Sequence, residues 1–419
     1  MAAAPLASGP VPDGAAHAAF DYSKGCPPIA QILAAHWRAK TRLGGRRLST
    51  TAPESTPEVL RAYQLIAGDE YCYIKMGFDG TTVKPVEEFT EHCFAGTGKQ
   101  VMPRPIVYAQ IFTRLVKARA DKGLPPLQPF EFYVDADDGT RNNPELFRKL
   151  NVPIVSSARN PNDRYTLPLP DVHMMFGVYR KVLDFSVFPH VEDFANDMMK
   201  RYYGEYDKTP WAEKKNQVVF RGSCFPTLMS DNYHQSSRVN MRAELCMAHG
   251  KNKTYDIGVR PGFACNKYFP DKPMCEGCKG CFGRPSYGPE QQSKYKYQVI
   301  AEGIGAANDA SVWKLLSNSA NIRLRPDAWT TPMFDQWYDP MLAPYTHVIH
   351  STVSGLPDAV GWCEAHPADC EKMAGNARAY MKCAINGTAV IDEYMTLIFE
   401  YMHDSVVSGT PTDAEWTYP

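Results

Sequence analysis

The chain lacks any run of about 18 apolar residues, so nothing in its 419 residues reads as a membrane-spanning helix. It also lacks an excess of either charge: 45 basic residues against 46 acidic ones leave a net charge of −1. That balance gives no reason to expect nucleic acid or another polyelectrolyte as a partner. The first 25 residues are rich in Ala, Pro and Gly, without a basic segment followed by an apolar core, and do not read as a secretory leader. Met1 to Lys24 is expected to be a flexible arm. There is no internal repeat. The stretch Gly303-Ile304-Gly305-Ala306-Ala307-Asn308 fails as a dinucleotide fingerprint at Asn308, and it is not a Walker A loop.

What is present is ordinary globular material: 44% hydrophobic and 22% charged residues. The length exceeds what one core supports, so two lobes are expected. The twelve cysteines are even in number, and sequons stand at Asn252-Lys253-Thr254 and Asn386-Gly387-Thr388. Both features point toward an ER or Golgi lumen, with cytoplasm as the open alternative.

Along the chain, helical and strand patterns alternate. A basic helix is expected over 27–45, and a Ser/Thr/Pro-rich linker over 46–57. A helix is then expected to start at Thr56-Pro57-Glu58. Tyr71 to Val86 reads as a hairpin turning at Asp79-Gly80. One apolar helix face runs through 105–121, followed by the short strand Phe130 to Val134 and an acidic cluster, Asp135, Asp137 and Asp138. A helix over 143–150 and a strand over Pro153 to Ser156 come next. In the second half, strands are expected at Val218–Phe220, Lys296–Ala301 and Ala320–Leu324. Helices are expected at Arg242–His249, Ser311–Leu316, 357–383 and 389–404. This alternation implies an α/β protein with parallel sheet, whose ligands bind at the strand C-terminal ends.

Four groups of residues carry candidate chemistry. Asp138, at a strand end, suits a general base, although Asp137-Asp138-Gly139 also suits a solvated turn. Asp135-Ala136-Asp137 spells D-x-D, a rival metal site. Arg221-Gly222-Ser223, ending a strand, offers a cation, a close backbone approach and a hydroxyl, all suited to a diphosphate. Gly303 to Lys314 leads from a strand into a helix whose free N–H groups attract phosphate, with Ser311 and Lys314 adding a hydroxyl and a charge. A plain strand–helix connection is the alternative. Cys265, Cys275, Cys278 and Cys281 have a spacing open to structural zinc, or to disulfides in an oxidising lumen. The aromatic stretch Trp329 to His347 reads either as a sugar-stacking wall or as core.

Together these segments resemble glycosyltransferase family 90, which includes the Rumi-type protein O-glucosyltransferases and the fungal capsule-associated xylosyltransferases. The resemblance runs roughly from Tyr71 to Tyr401. It is carried by Phe220-Arg221-Gly222-Ser223 with Arg242, by Lys294-Tyr295-Lys296-Tyr297 leading to Gly303, and by Ser311 to Leu316 with Ser319. Leu342-Ala343-Pro344-Tyr345-Thr346-His347 and Met373 to Tyr380 complete it. It implies a GT-B fold: two Rossmann-like lobes with the active site in the cleft between them.

The corresponding division is an N-terminal arm and helix over 1–60, an acceptor-side lobe over 61–195, a nucleotide-sugar lobe over 196–375, and C-terminal helices over 376–419 that pack back on the first lobe. The resemblance further implies an inverting, metal-independent hexosyl- or pentosyltransferase that uses UDP-glucose or UDP-xylose on a glycan or protein hydroxyl. Asp138 would be the base, and Arg221, Gly222, Ser223, Arg242, Gly303, Ser311 and Lys314 the donor site, with no cofactor required. A catalytically idle glycan-binding or scaffold protein on the same fold is the alternative. The chain departs from Rumi-type members at Lys314, where they carry Arg, at Gly139, where an aromatic often follows the aspartate, and in an inserted stretch over 261–290. It also has no C-terminal ER-retention tetrapeptide.

Overall fold

The computed structural model describes residues 20–41, 73–86, 103–135, 153–159, 166–187, 192–203, 206–224, 241–260, 279–302, 308–325, 334–385 and 387–407. Among these are two five-stranded sheets and ten α-helices. The expected helix over 143–150 and the one starting near Thr56 lie outside the described residues.

The first sheet comprises β1 (Tyr73–Phe78), β2 (Val83–Pro85), β3 (Phe130–Asp135), β4 (Ile154–Ser156) and β5 (Thr166–Pro168), in the order β2-β1-β3-β4-β5. β1 and β2 form the expected hairpin. Gly80 takes a positive φ of 99°, and Asp79 accepts the backbone N–H groups of Thr81 and Thr82. β1 runs antiparallel to β3, so the sheet is mixed: only β3, β4 and β5 are parallel. A tight turn can join only antiparallel neighbours, which explains the mixed edge.

Helix α1 (Ile29–Lys40) buries Ile29, Leu33 and Trp37. α2 (Pro103–Asp121) packs on β2, and α3 (Val172–Val178) packs on α4 (Glu192–Tyr203).

The second sheet is fully parallel. It comprises β6 (Lys215–Ser223), β7 (Tyr255–Arg260), β8 (Tyr295–Ile300), β9 (Ala320–Arg325) and β10 (Ile349–Thr352), in the order β10-β9-β8-β6-β7. Its central strands are buried on both faces, as in a parallel sheet covered on both sides, although they carry the buried polar residues Gln298, Asn321 and Arg323. α5 (Met241–His249) connects β6 to β7. α6 (Pro289–Gln292) precedes β8, and α7 (Asn308–Leu315) lies between β8 and β9. The chain adds β7 on one side of β6 and then returns to add β8 on the other. The crevice outside the carboxyl ends of β6 and β8 is therefore the topological switch point, where open parallel sheets bind ligands.

The segment 357–383, expected as one helix, is two: α8 (Leu356–Ala365) and α9 (Pro367–Ala384). Pro367 forces the break. The residue before a proline is driven out of the helical region, and His366 sits at φ −127°, ψ 58°, while Pro367 fits the first turn of α9. α10 (Ala389–Val407) packs against α1, α2 and β3, placing Phe399 among Phe78, Phe112 and Phe130.

A buried arginine joins the two halves of the molecule. Arg159, just beyond β4, forms a backbone bridge and an ion pair with Asp335, and lies over the Trp37 ring at 4.6 Å. Among the described residues, three disulfides connect distant or adjacent elements: Cys26–Cys383, Cys246–Cys281 and Cys363–Cys370.

Candidate functional site

Arg242 stands across the switch point. It is the second residue of α5, and its guanidinium reaches over the ends of both central strands. Nη1 donates to the Ser223 carbonyl at 2.8 Å; Nε and Nη2 both donate to the Ala301 carbonyl, at 3.2 and 3.1 Å. These bonds leave one N–H group on Nη1 and one on Nη2 without a partner among the described residues. No carboxylate lies within ion-pair distance of Arg242 among the described residues.

The Phe220 ring lies beneath it, 5.9 Å from the guanidinium carbon. Gly222 makes room: a Cβ there would meet the Phe220 ring at 2.8 Å and Arg242 Nη1 at 3.5 Å. Burial lowers the Arg242 pKa to about 10, with Glu302 acting in the opposite sense. The group is therefore a cation at neutral pH, held by three hydrogen bonds at the strand ends, with Glu302 near enough to act on it through its charge but not in an ion pair with it. Such a group is suited to a phosphate or diphosphate.

Next to it lies a buried ionic cluster. Glu302, two residues beyond β8, is 1% exposed. Its Oε1 accepts from Arg323 Nη2 at 2.7 Å, while Oε2 has no hydrogen-bond partner among the described residues. Arg323 Nη1 donates to Asp339 at 2.8 Å, and Nη2 also reaches the Phe334 carbonyl. Two carboxylates thus share one guanidinium. Burial pushes the Glu302 carboxyl up to about 7, with Arg323 opposing, and burial raises Asp339 as well. For Arg323, burial would lower the pKa, but Asp339 and Glu302 outweigh it and the result is raised. Glu302, Ser311, Arg323, Gln336, Tyr338 and Asp339 surround a cavity of about 10 Å³, space for about one water molecule.

The structure separates the residues that the sequence grouped together. Gly222, Ser223 and Arg242 meet at the switch point. Arg221 points to the opposite face of β6, as strand alternation demands. There its Nη2 pairs with Asp256 at 2.7 Å, Nη1 donates to the Phe220 and Asp256 carbonyls, Nε donates to Pro285, and the fork stacks on Tyr287 at 4.0 Å. Lys314 is only 2% exposed; its Nζ donates to the Val299 carbonyl at 2.7 Å and lies 5.2 Å from the centre of the Phe220 ring. Ser311 is buried between Gln336 and Tyr338. Arg221, Ser311 and Lys314, expected in the donor site, all have polar atoms engaged in hydrogen bonds within the second half.

Cys281 is bonded to Cys246, outside the four-cysteine group, so it has no thiolate to offer zinc. Cys265, Cys275 and Cys278 lie outside the described residues, as do Asp138, Gly303 and Trp329. Trp337 and Tyr338 are core, with Trp337 packed on Tyr394. Asp135, the first member of the D-x-D spelling, is buried at the end of β3 and accepts from Ser156.

Sequence reasoning missed Glu302, Arg323 and Asp339. The available signal was Arg323 itself, a charge between Ile322 and Leu324 in the strand Ala320–Arg325. A cation in a fully covered strand requires a buried anion, and Glu302 at the end of the adjacent strand is within its reach.

No family model matches the chain. Three viral proteins resemble parts of it. Uncharacterized protein 035R of Invertebrate iridescent virus 3 is 26% identical over 127 residues, covering 30% of this chain and 11% of that protein. Uncharacterized protein 179R of Invertebrate iridescent virus 6 is 22% identical over 241 residues, 53% of this chain and 19% of the relative. Uncharacterized protein 027R of Frog virus 3 is 26% identical over 201 residues, 44% of this chain and 20% of the relative. The chain spans a fifth or less of the length of these relatives.

Proposed function

We propose that the chain is an inverting glycosyltransferase of the GT-B type, transferring glucose or xylose from a UDP-sugar to a hydroxyl of a glycan or protein. The observation that carries this reading is the Arg242 guanidinium, without an ion pair among the described residues and anchored on the carbonyls of Ser223 and Ala301 at the switch point of a parallel sheet. A leaving diphosphate needs its developing charge stabilised, and a fixed guanidinium in a water-poor crevice does this without reorganising. A cation already supplied by the protein fits a mechanism that does not require a metal.

Asp138, beyond the end of β3, serves as the general base of a single displacement. It removes the acceptor proton as the hydroxyl attacks C1 from the face opposite UDP. The backbone around Gly222 and Ser223 and the loop over 303–307 leading into α7 complete the donor site. Burial of Ser311 and Lys314 favours a supporting role for both, beneath the diphosphate rather than in contact with it.

Calorimetric titration with UDP tests this reading. Arg242→Ala is expected to weaken UDP binding roughly 10- to 100-fold, the range of a lost charge-assisted hydrogen bond. Arg242→Lys should recover part of the loss, because it restores the charge without the fork. A wild-type protein that binds no UDP, or a variant with unaltered affinity, overturns the donor site and favours a glycan-binding or scaffold protein on the same fold.

A further inference from the structure

We infer that Asn252 carries an N-linked glycan, attached in an oxidising secretory compartment at the end of the second sheet remote from the proposed donor site. The sequon Asn252-Lys253-Thr254 forms the turn between α5 and β7, and its three residues are exposed. Asn252 Oδ1 accepts both the Thr254 backbone N–H, at 3.0 Å, and the Thr254 hydroxyl, at 2.7 Å. The amide oxygen is thus held by the hydroxyl residue that defines the sequon, and Nδ2, on an exposed residue, makes no hydrogen bond among the described residues. A sequon matters only where the asparagine is accessible and the chain enters the lumen.

The second condition rests on separate evidence. The pairs Cys26–Cys383, Cys246–Cys281 and Cys363–Cys370 are closed, and Cys224 is also in a disulfide. Every described cysteine is thus oxidised, a pattern rare where thiols are kept reduced. One of these pairs, Cys246–Cys281, begins in the same helix that leads to the sequon.

Placement makes the modification compatible with a working site. The turn enters the amino end of β7 at Tyr255, whereas Arg242 and Ser223 meet at the carboxyl ends of the sheet. A six-residue strand separates the two levels by roughly 20 Å. A glycan on Asn252 therefore projects away from the crevice. In the transfer, Nδ2 of Asn252 forms a bond to the anomeric carbon of a polyprenyl-diphosphate-linked oligosaccharide. The bond from that carbon to the diphosphate oxygen breaks, the polyprenyl diphosphate leaves with the electron pair, and the amide gives up one proton to a base of the transferring enzyme.

The test uses the full chain purified from the organism that makes it. The chymotryptic peptide ending at Tyr255 is treated with peptide N-glycosidase in heavy-oxygen water and weighed. The expected result is conversion of Asn252 to aspartate carrying the heavy oxygen. In the same cells, Asn252→Gln should lose that glycan and Thr254→Ser should keep it, with UDP affinity unchanged in both. An unmodified Asn252 in a protein with intact disulfides overturns the modification. An unmodified Asn252 with cysteines open to alkylation overturns both the modification and the oxidising compartment.

Discussion

Replacing Glu302 with Gln should make the protein more stable, and only at neutral to alkaline pH. Glu302 is buried, with one oxygen on Arg323 and the other unpartnered among the described residues, and its pKa rises from an ordinary 4.5 to about 7. A carboxyl whose pKa is higher in the folded state holds its proton more tightly there than in the unfolded chain. Its contribution to stability is fully present below about pH 4.5 and is lost as pH rises through 7. The gap between 4.5 and about 7, at about 1.4 kcal/mol per pH unit, comes to roughly 3 kcal/mol. Gln keeps the shape and can still accept from Arg323, but it cannot ionise.

Denaturant midpoints of wild type and Glu302→Gln are therefore expected to lie close together at pH 5. By pH 8.5 they should separate in favour of the variant by roughly 2–3 kcal/mol. Groups remote from Glu302 titrate alike in both proteins, so they drop out of the comparison. A variant no more stable than wild type at pH 8.5, or a difference of the same size at both pH values, would refute the reasoning.

Because Glu302 acts on Arg242 through its charge, UDP affinity measured by calorimetry should fall more steeply above pH 7 in wild type than in Glu302→Gln; parallel pH profiles would uncouple the two groups. Asp256→Ala removes the anion from Arg221, whose side chain is almost buried, and should cost about 3 kcal/mol of stability while leaving UDP affinity intact. A loss of UDP binding at unchanged stability would return Arg221 to the donor site. The Cys26–Cys383 disulfide closes 357 residues and Cys363–Cys370 only seven. On chain entropy, paired serine substitutions should cost about 6 kcal/mol at the first and about 2 kcal/mol at the second, read as midpoints of unfolding; equal losses would contradict this.

Much of the architecture was legible where periodicity was strong. The helix over 105–121, the hairpin at Asp79-Gly80, and the strands around Val219, Val299 and Ile322 all stand where apolar spacing and turn residues indicate. The short strands at Thr166–Pro168 and Ile349–Thr352 escaped notice because three or four residues carry no period. Tyr255–Arg260 escaped because Gly258 and Asp256 dilute it; a Cβ at Gly258 would collide with Arg284, and Asp256 is required by Arg221.

Sequence motifs at the site identified residue types but not directions. Arg221, Gly222 and Ser223 are consecutive, so strand alternation had to send Arg221 away from Gly222. Lys314 faces inward because α7 presents that side to Val299 and Phe220. Arg242, on α5, lies over the carboxyl ends of β6 and β8 and makes no ion pair among the described residues. The Glu302–Arg323–Asp339 cluster joins residues from three separate segments, and sequence shows such a group only through a charge flanked by Ile322 and Leu324 in a strand.

The most direct test of the central claim is release of UDP from UDP-glucose and UDP-xylose, in excess chelator, by wild type and Asp138→Asn. The account predicts release from one of the two donors by wild type. It predicts a loss of roughly 100-fold or more in the variant, the scale of a general base, with UDP affinity retained. Release that requires a divalent ion, or no release together with no UDP binding, would contradict it.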